Sequence, residues 1–117
     1  MVISQGDLFW VDLGEPRNSE PGFRHPFVVV QNDAFNKSKI NTVVICGLSS
    51  NIKLSLAPGN VLLEKGEANL PKASVVNISQ IMTVNKDELI TKIGKLPKKR
   101  MEEVIVGFQV LLKPSVL

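Results

Sequence analysis

Apolar residues in the first two thirds of the chain come in short runs broken by glycine, proline and polar clusters. In the last third they recur every three or four positions. The first rhythm is that of strands and the second that of an amphipathic helix. Leu8-Phe9-Trp10-Val11-Asp12-Leu13, bounded by Gly6 and by Gly14-Glu15-Pro16, reads as a first strand. Phe27 to Val30 and Thr42 to Cys46 are continuous β-rich runs too short for helices, so they read as strands buried on both faces. Further strands are expected from Asn60 to Glu64, after the turn Pro58-Gly59, and from Ser74 to Ile81. Between Gly14 and Pro26 the mixture of glycine, proline and polar residues predicts a long surface loop. Asn85 followed by Glu88 has the form of a capping box and predicts a short helix through Lys92, ended by Gly94. Pro97 then opens a second helix, with Met101, Val104, Ile105, Phe108 and Leu112 on the face turned to the sheet. The fold class expected is mainly β with a C-terminal helix.

At 117 residues the chain has room for one domain with a real core, so 1–117 is read as a single unit. With 44% hydrophobic and 21% charged residues it is neither disordered nor a coiled coil. A net charge of +3 permits an anionic partner without demanding one. Cys46 and His25 are the only cysteine and histidine, which excludes a disulfide framework and leaves no ligand set for zinc; no metal and no cofactor are expected. Cys46, inside an apolar run, is expected to be inert packing. The N-terminus has no basic stretch leading into a long apolar run, so the cytoplasm is the expected location. No apolar run approaches the ~20 residues that span a bilayer, and no membrane partner is expected. Lys98-Lys99-Arg100 is read as a solvated helix face.

No phosphate-binding glycine loop, nucleophile elbow or His-Glu-x-x-His motif is present. What stands out is Asn18 to Pro26, which places Glu20, Arg24 and the lone imidazole of His25 just ahead of a buried strand. Pro26 biases His25 toward extended backbone, so Arg24 and His25 should point in opposite directions. A second cluster, Ser49-Ser50-Asn51, follows the strand from Thr42 in the same way. Neighbouring strands would bring the two clusters together. By itself Ser49 reads equally as a turn residue, Glu20 as a loop anchor, Phe23 as a pin to the core and Gln80 as a backbone-bonding strand residue.

Gly6 to Leu13, Ser19-Glu20 followed by Arg24-His25-Pro26, Leu48 to Asn51, Leu70-Pro71-Lys72, Ser74-Val75-Val76 and Ser79-Gln80-Ile81 occur in this order. In these segments the chain resembles the MazF/PemK toxins of bacterial toxin-antitoxin pairs. The resemblance implies an SH3-like β-barrel of the CcdB/MazF/PemK type with a C-terminal helix. It also implies a homodimer and a cognate MazE-like antitoxin as partners. The implied activity is metal-independent cleavage of single-stranded RNA, in which the RNA's own 2′-hydroxyl attacks the phosphate and leaves 2′,3′-cyclic phosphate and 5′-hydroxyl ends. Arg24, His25 and Ser49 are then the expected catalytic residues, and Glu20, Phe23, Ser50, Asn51 and Gln80 the RNA-binding ones. The family's catalytic arginine, which precedes the proline, falls on His25, with Arg24 one residue earlier. Where some relatives carry an arginine and an aspartate before the conserved glutamine, this chain has Asn77 and Ser79. Two alternatives remain at this stage: a CcdB-like toxin that binds gyrase without enzymatic activity, and a decayed toxin that only binds an antitoxin.

Overall fold

A computed structural model describes residues 2–12 and 24–116. Its six strands are β1 (Asp7–Asp12), β2 (Arg24–Val29), β3 (Thr42–Ser49), β4 (Val61–Leu63), β5 (Ser74–Asn85) and β6 (Leu89–Lys95). The short helix α1 (Asp33–Asn36) lies between β2 and β3, and α2 (Lys98–Leu112) follows β6. The strands form one sheet in the order β4-β5-β3-β2-β1-β6, and every neighbouring pair is antiparallel. This is the mainly β architecture with a C-terminal helix that was expected. Among the described residues β4 and β6 do not pair with each other, so the sheet stays open where a closed barrel would join its edges.

The strands are apolar on both faces because each face has its own core. On one face Leu8, Val28, Cys46, Leu48, Val76 and Ile78 meet Met101, Val104 and Phe108 of α2. On the other, Phe9, Val11, Phe27, Val29, Val43 and Ile45 pack together with Val84 and Leu89. Each fully buried side chain of this size contributes about 1.5–3 kcal/mol relative to exposure. Helix α2 comes close because Gly107 faces the turn at Gly59, where an added Cβ would collide with the Gly59 carbonyl oxygen. Arg100 ties its first turn down through a two-pronged bond to Glu67, with Nη2 to Oε1 at 2.6 Å and Nε to Oε2 at 2.9 Å. Lys98 and Lys99 are exposed as expected, while Arg100 belongs to this ion pair. Leu112, placed on the core face by periodicity, is 70% exposed.

The helix expected from Asn85 to Lys92 does not form. Asn85 and Glu88 do touch, Nδ2 donating to Oε1 at 3.3 Å, but the chain makes only one 3₁₀ turn, Lys86–Glu88. Asn85 is held in the sheet opposite Thr42, and the Lys86 amide donates to the Asn41 carbonyl at 2.8 Å. From Leu89 the chain pairs with β1, whose outer edge would otherwise leave a row of amides and carbonyls unsatisfied. Sheet pairing therefore overrides the local capping signal.

Candidate functional site

β2 starts at Arg24, three residues before the apolar run, and β3 continues to Ser49, three residues beyond Cys46. The two strands pair with Phe27 opposite Gly47, Val28 opposite Cys46 and Val29 opposite Ile45. Beyond that last pair the His25 side chain is hydrogen-bonded to the Leu48 backbone, one residue before Ser49. The two polar clusters thus lie at one end of the sheet. Pro26, with no amide hydrogen, sits near the beginning of its strand, where a missing ladder bond disturbs least.

Arg24 is exposed, and among the described residues its guanidinium has no hydrogen bond or ion pair. His25 is half-buried, with its ring edge-on to Phe27 at a centroid separation of 5.6 Å. Burial lowers its pKa below the ordinary histidine value, opposed by a backbone hydrogen bond to Leu48. The ring is therefore mainly neutral at pH 7, and its buried Nε2 has no partner among the described residues. A neutral imidazole bonded through one nitrogen presents the other as a proton acceptor.

Ser49 Oγ accepts the Asn51 amide at 3.1 Å, which leaves its own proton free to donate. Asn51 Oδ1 accepts the Lys53 amide at 3.2 Å and caps the 3₁₀ turn Ile52–Leu56, so the Asn51 side chain is used locally. Ser50 is exposed beside it. Gln80 comes over β3 where β5 bends: two steps along β3, Cys46 to Leu48, face five along β5, Ile81 to Val76. Its side chain lies over Gly47, where an added Cβ would approach Gln80 Oε1 to 2.8 Å. Inside the bend Asn77 Oδ1 accepts Ser79 Oγ at 3.1 Å and Asn60 Nδ2 at 3.4 Å. Asn60 Oδ1 in turn takes the Ile78 amide at 3.1 Å. Asn77 and Ser79 thus hold the bend that delivers Gln80. Glu20 and Phe23 lie outside the described residues.

Cys46 is fully buried with its thiol pushed up to about 12 by desolvation, which makes it a packing residue. A pocket of about 200 Å³ opens beside His25 and Pro26, and Trp10, Ser50, Lys72 and Ser74 reach it. Trp10, Lys72 and Ser74 were not among the expected site residues. Lys72 and Ser74 lie within the matched stretch Leu70 to Val76, a signal that could have found them, whereas Trp10 reads only as a strand residue.

The model of the family described as PemK-like, MazF-like toxin of type II toxin-antitoxin system matches residues 4–112. The chain is 41% identical over 112 residues to endoribonuclease MazF6 of Mycobacterium tuberculosis, covering 96% of this chain and 98% of the relative. It is 35% identical over 103 residues to endoribonuclease MazF of Staphylococcus saprophyticus, covering 88% and 85%. In fold it is similar to a mycobacterial endoribonuclease solved in complex with its cognate antitoxin, with a TM-score of 0.74 and 22% identity, covering 99% of this chain and 98% of that one. MazF of Deinococcus radiodurans has a TM-score of 0.76 at 22% identity, covering 97% and 99%. On the family match over nearly its whole length, the chain belongs to the PemK-like, MazF-like toxins of type II toxin-antitoxin systems.

Proposed function

We propose that this protein is the toxin of a toxin-antitoxin pair, an endoribonuclease that cuts single-stranded RNA in the cytoplasm without a metal, the whole chain acting as one domain. The observation that carries this reading is the end of β2, where the buried His25 Nε2 and the exposed Arg24 guanidinium have no partner among the described residues, in a chain of this family. The RNA's 2′-oxygen attacks the neighbouring phosphorus and the bond to the 5′-oxygen breaks, which requires no protein nucleophile. His25 takes the 2′-hydroxyl proton, a task its neutral ring suits at pH 7. Arg24 balances the charge growing on the phosphoryl oxygens, and Ser49 adds a neutral donor. The departing 5′-oxygen takes its proton from solvent at this exposed strand end. Ser50, Asn51 and Gln80 flank the scissile phosphate and bind the strand, together with Glu20 and Phe23 from the preceding segment.

The test is incubation of purified protein with a long single-stranded RNA in EDTA, followed by end analysis. Cutting that leaves 2′,3′-cyclic phosphate and 5′-hydroxyl ends is expected. Ends bearing 5′-phosphate, or loss of all cutting under EDTA, would refute the mechanism.

As a toxin, the protein works as a homodimer held by a MazE-like antitoxin. Phe35, Ile81 and Leu112 border an open groove of about 410 Å³, and Val110, Leu111 and Val116 are exposed nearby in sequence. So much exposed apolar surface calls for a cover. Light scattering should give a dimer mass at micromolar concentration, and a monomer mass there would overturn the assembly.

A further inference from the structure

The pocket beside the strand ends is built differently from the rest of the site. Trp10, Leu48, Leu70 and Pro71 line it together with the polar Ser50 and Lys72. Leu48 and Leu70 are buried, so the walls are fixed by the core. Lys72 is exposed, and among the described residues its ammonium has no hydrogen bond or ion pair. Ser74, nearly buried, donates its hydroxyl proton to the Lys72 carbonyl at 3.0 Å, which holds the Lys72 backbone in place. Ser50 Oγ has no partner among the described residues either. A mostly apolar lining that includes an indole and a few polar side chains suits a flat heteroaromatic ring.

We propose that this pocket receives one unstacked base of the RNA, next to the scissile phosphate, with Trp10 as its platform and Lys72 reading its edge. The inference rests on the endoribonuclease reading above. Size agrees, because an apolar cavity of about 150 Å³ takes a benzene ring and this pocket offers about 200 Å³. Position agrees too: the pocket is bordered by His25 and Ser50, so a base seated in it leaves its own backbone at the β2 and β3 ends. Lysine can only donate hydrogen bonds, so Lys72 favours a base edge bearing an exocyclic carbonyl. Uracil, guanine and cytosine have one on their pairing edge, while adenine offers an amino group there with only a ring nitrogen as acceptor. The pocket therefore favours a base with an exocyclic carbonyl over adenine at one position of the recognised word.

Trp10 is the only tryptophan in the chain, so its emission reports on the pocket alone. Short 2′-O-methyl oligonucleotides, which lack the attacking hydroxyl, would be titrated in uridine and adenosine versions, with binding followed in parallel by anisotropy of a labelled end. Saturable quenching of Trp10, stronger for uridine, is expected. Trp10→Leu should weaken binding roughly fivefold or more, as loss of one stacked base does. Lys72→Met, at an exposed position that does not threaten folding, should remove the preference for uridine over adenosine. Binding with unchanged Trp10 emission would overturn the inference while cleavage of ordinary RNA kept the enzyme reading standing. A Lys72→Met variant that weakened both oligonucleotides equally, with a shallower salt dependence, would assign Lys72 to a phosphate and overturn its part. Neither binding nor cutting by the wild type would remove both readings together.

Discussion

Strand β2 carries a polar cluster at each end, and the two are built from similar residues with opposite outcomes. Beyond Val30, Gln5, Gln31, Asp33 and Asn36 satisfy one another. Gln5 donates its amide to Asp33 Oδ1 at 2.7 Å and its Nε2 to the Val30 carbonyl at 2.9 Å. Asn36 Nδ2 donates to the Gln31 carbonyl at 2.8 Å and to Asp33 Oδ1 at 3.1 Å, while its Oδ1 accepts Gln31 Nε2 at 2.9 Å. Lys86 closes this corner by donating to the Asn36 carbonyl at 3.0 Å. At the Arg24 end, by contrast, the His25 Nε2 is buried and neither it nor Arg24 has a partner among the described residues. Residue type does not separate a scaffold from a site here. Satisfaction does: a cluster whose donors and acceptors are all engaged fixes a loop, and one with groups left over is prepared for a ligand.

The sharpest way to break this contrast is to truncate the unsatisfied end. Arg24→Ala and His25→Ala should each lower single-turnover cleavage about a hundredfold or more, or roughly 2.7–4 kcal/mol of transition-state stabilisation. Arg24→Ala should leave the urea midpoint nearly unchanged, since no partner is lost. Near wild-type rates for both variants would show that this end is not the active site.

The satisfied end should respond in the reverse sense. Asn36→Ala leaves the Gln31 side-chain amide, the Gln31 carbonyl and one Asp33 bond without their partner, and should cost about 2–3 kcal/mol in urea unfolding. Cleavage per folded molecule should stay at the wild-type rate. A large loss of activity with unchanged stability would erase the distinction.

Ser49→Ala lies between the two, because a neutral donor is about half as strong as a charged one. We expect about a tenfold lower rate, since half of the loss assigned to a charged donor is roughly 1.4–2 kcal/mol. Equality with Arg24→Ala would mean that Ser49 does more than donate.

The smallest effect is the dependence on pH. Burial depresses the folded His25 pKa below its ordinary 6.5, so the folded ring holds its proton less tightly than the unfolded one. Below about pH 6.5 the unfolded chain binds more protons, and stability should decline until pH passes the folded pKa. Cleavage should hold a plateau at neutral pH and fall only as His25 itself protonates, below the ordinary histidine range. His25→Gln should abolish that acid limb, and a limb that persisted would assign it to another group.

The sequence carried more of the scaffold than of the site. The runs at Leu8, Phe27, Thr42, Val61 and Ser74 all became strands, and Pro97 sits at the N-cap of the last helix. These features are local: turn residues, β-branched runs and a helical period act within a few positions of themselves. Asn85 to Lys95 failed for the complementary reason. Its capping pair was real, with Asn85 bonded to Glu88, yet the segment became an edge strand because the open side of β1 had to be paired. The single turn Asp33–Asn36, held by the Asn32 cap and by Gln31, escaped notice because it is too short to show a period.

The sequence by itself determined a mainly β chain with a terminal helix, no multi-cysteine chemistry, and a set of polar residues grouped at the ends of two strands. Which of those residues meet was decided only by tertiary structure. His25 came to bond the Leu48 backbone beside Ser49 through the β2 to β3 pairing, and Gln80 came over Gly47 through a bend of β5 whose Asn77 is bonded to Asn60. The buried His25 nitrogen, without a partner among the described residues, and the pocket lined by Trp10 and Lys72 exist only once the chain has packed. A side chain's type is written locally, but its partners are set by contacts between distant segments, and it is the partner left missing that turns a polar residue into a site.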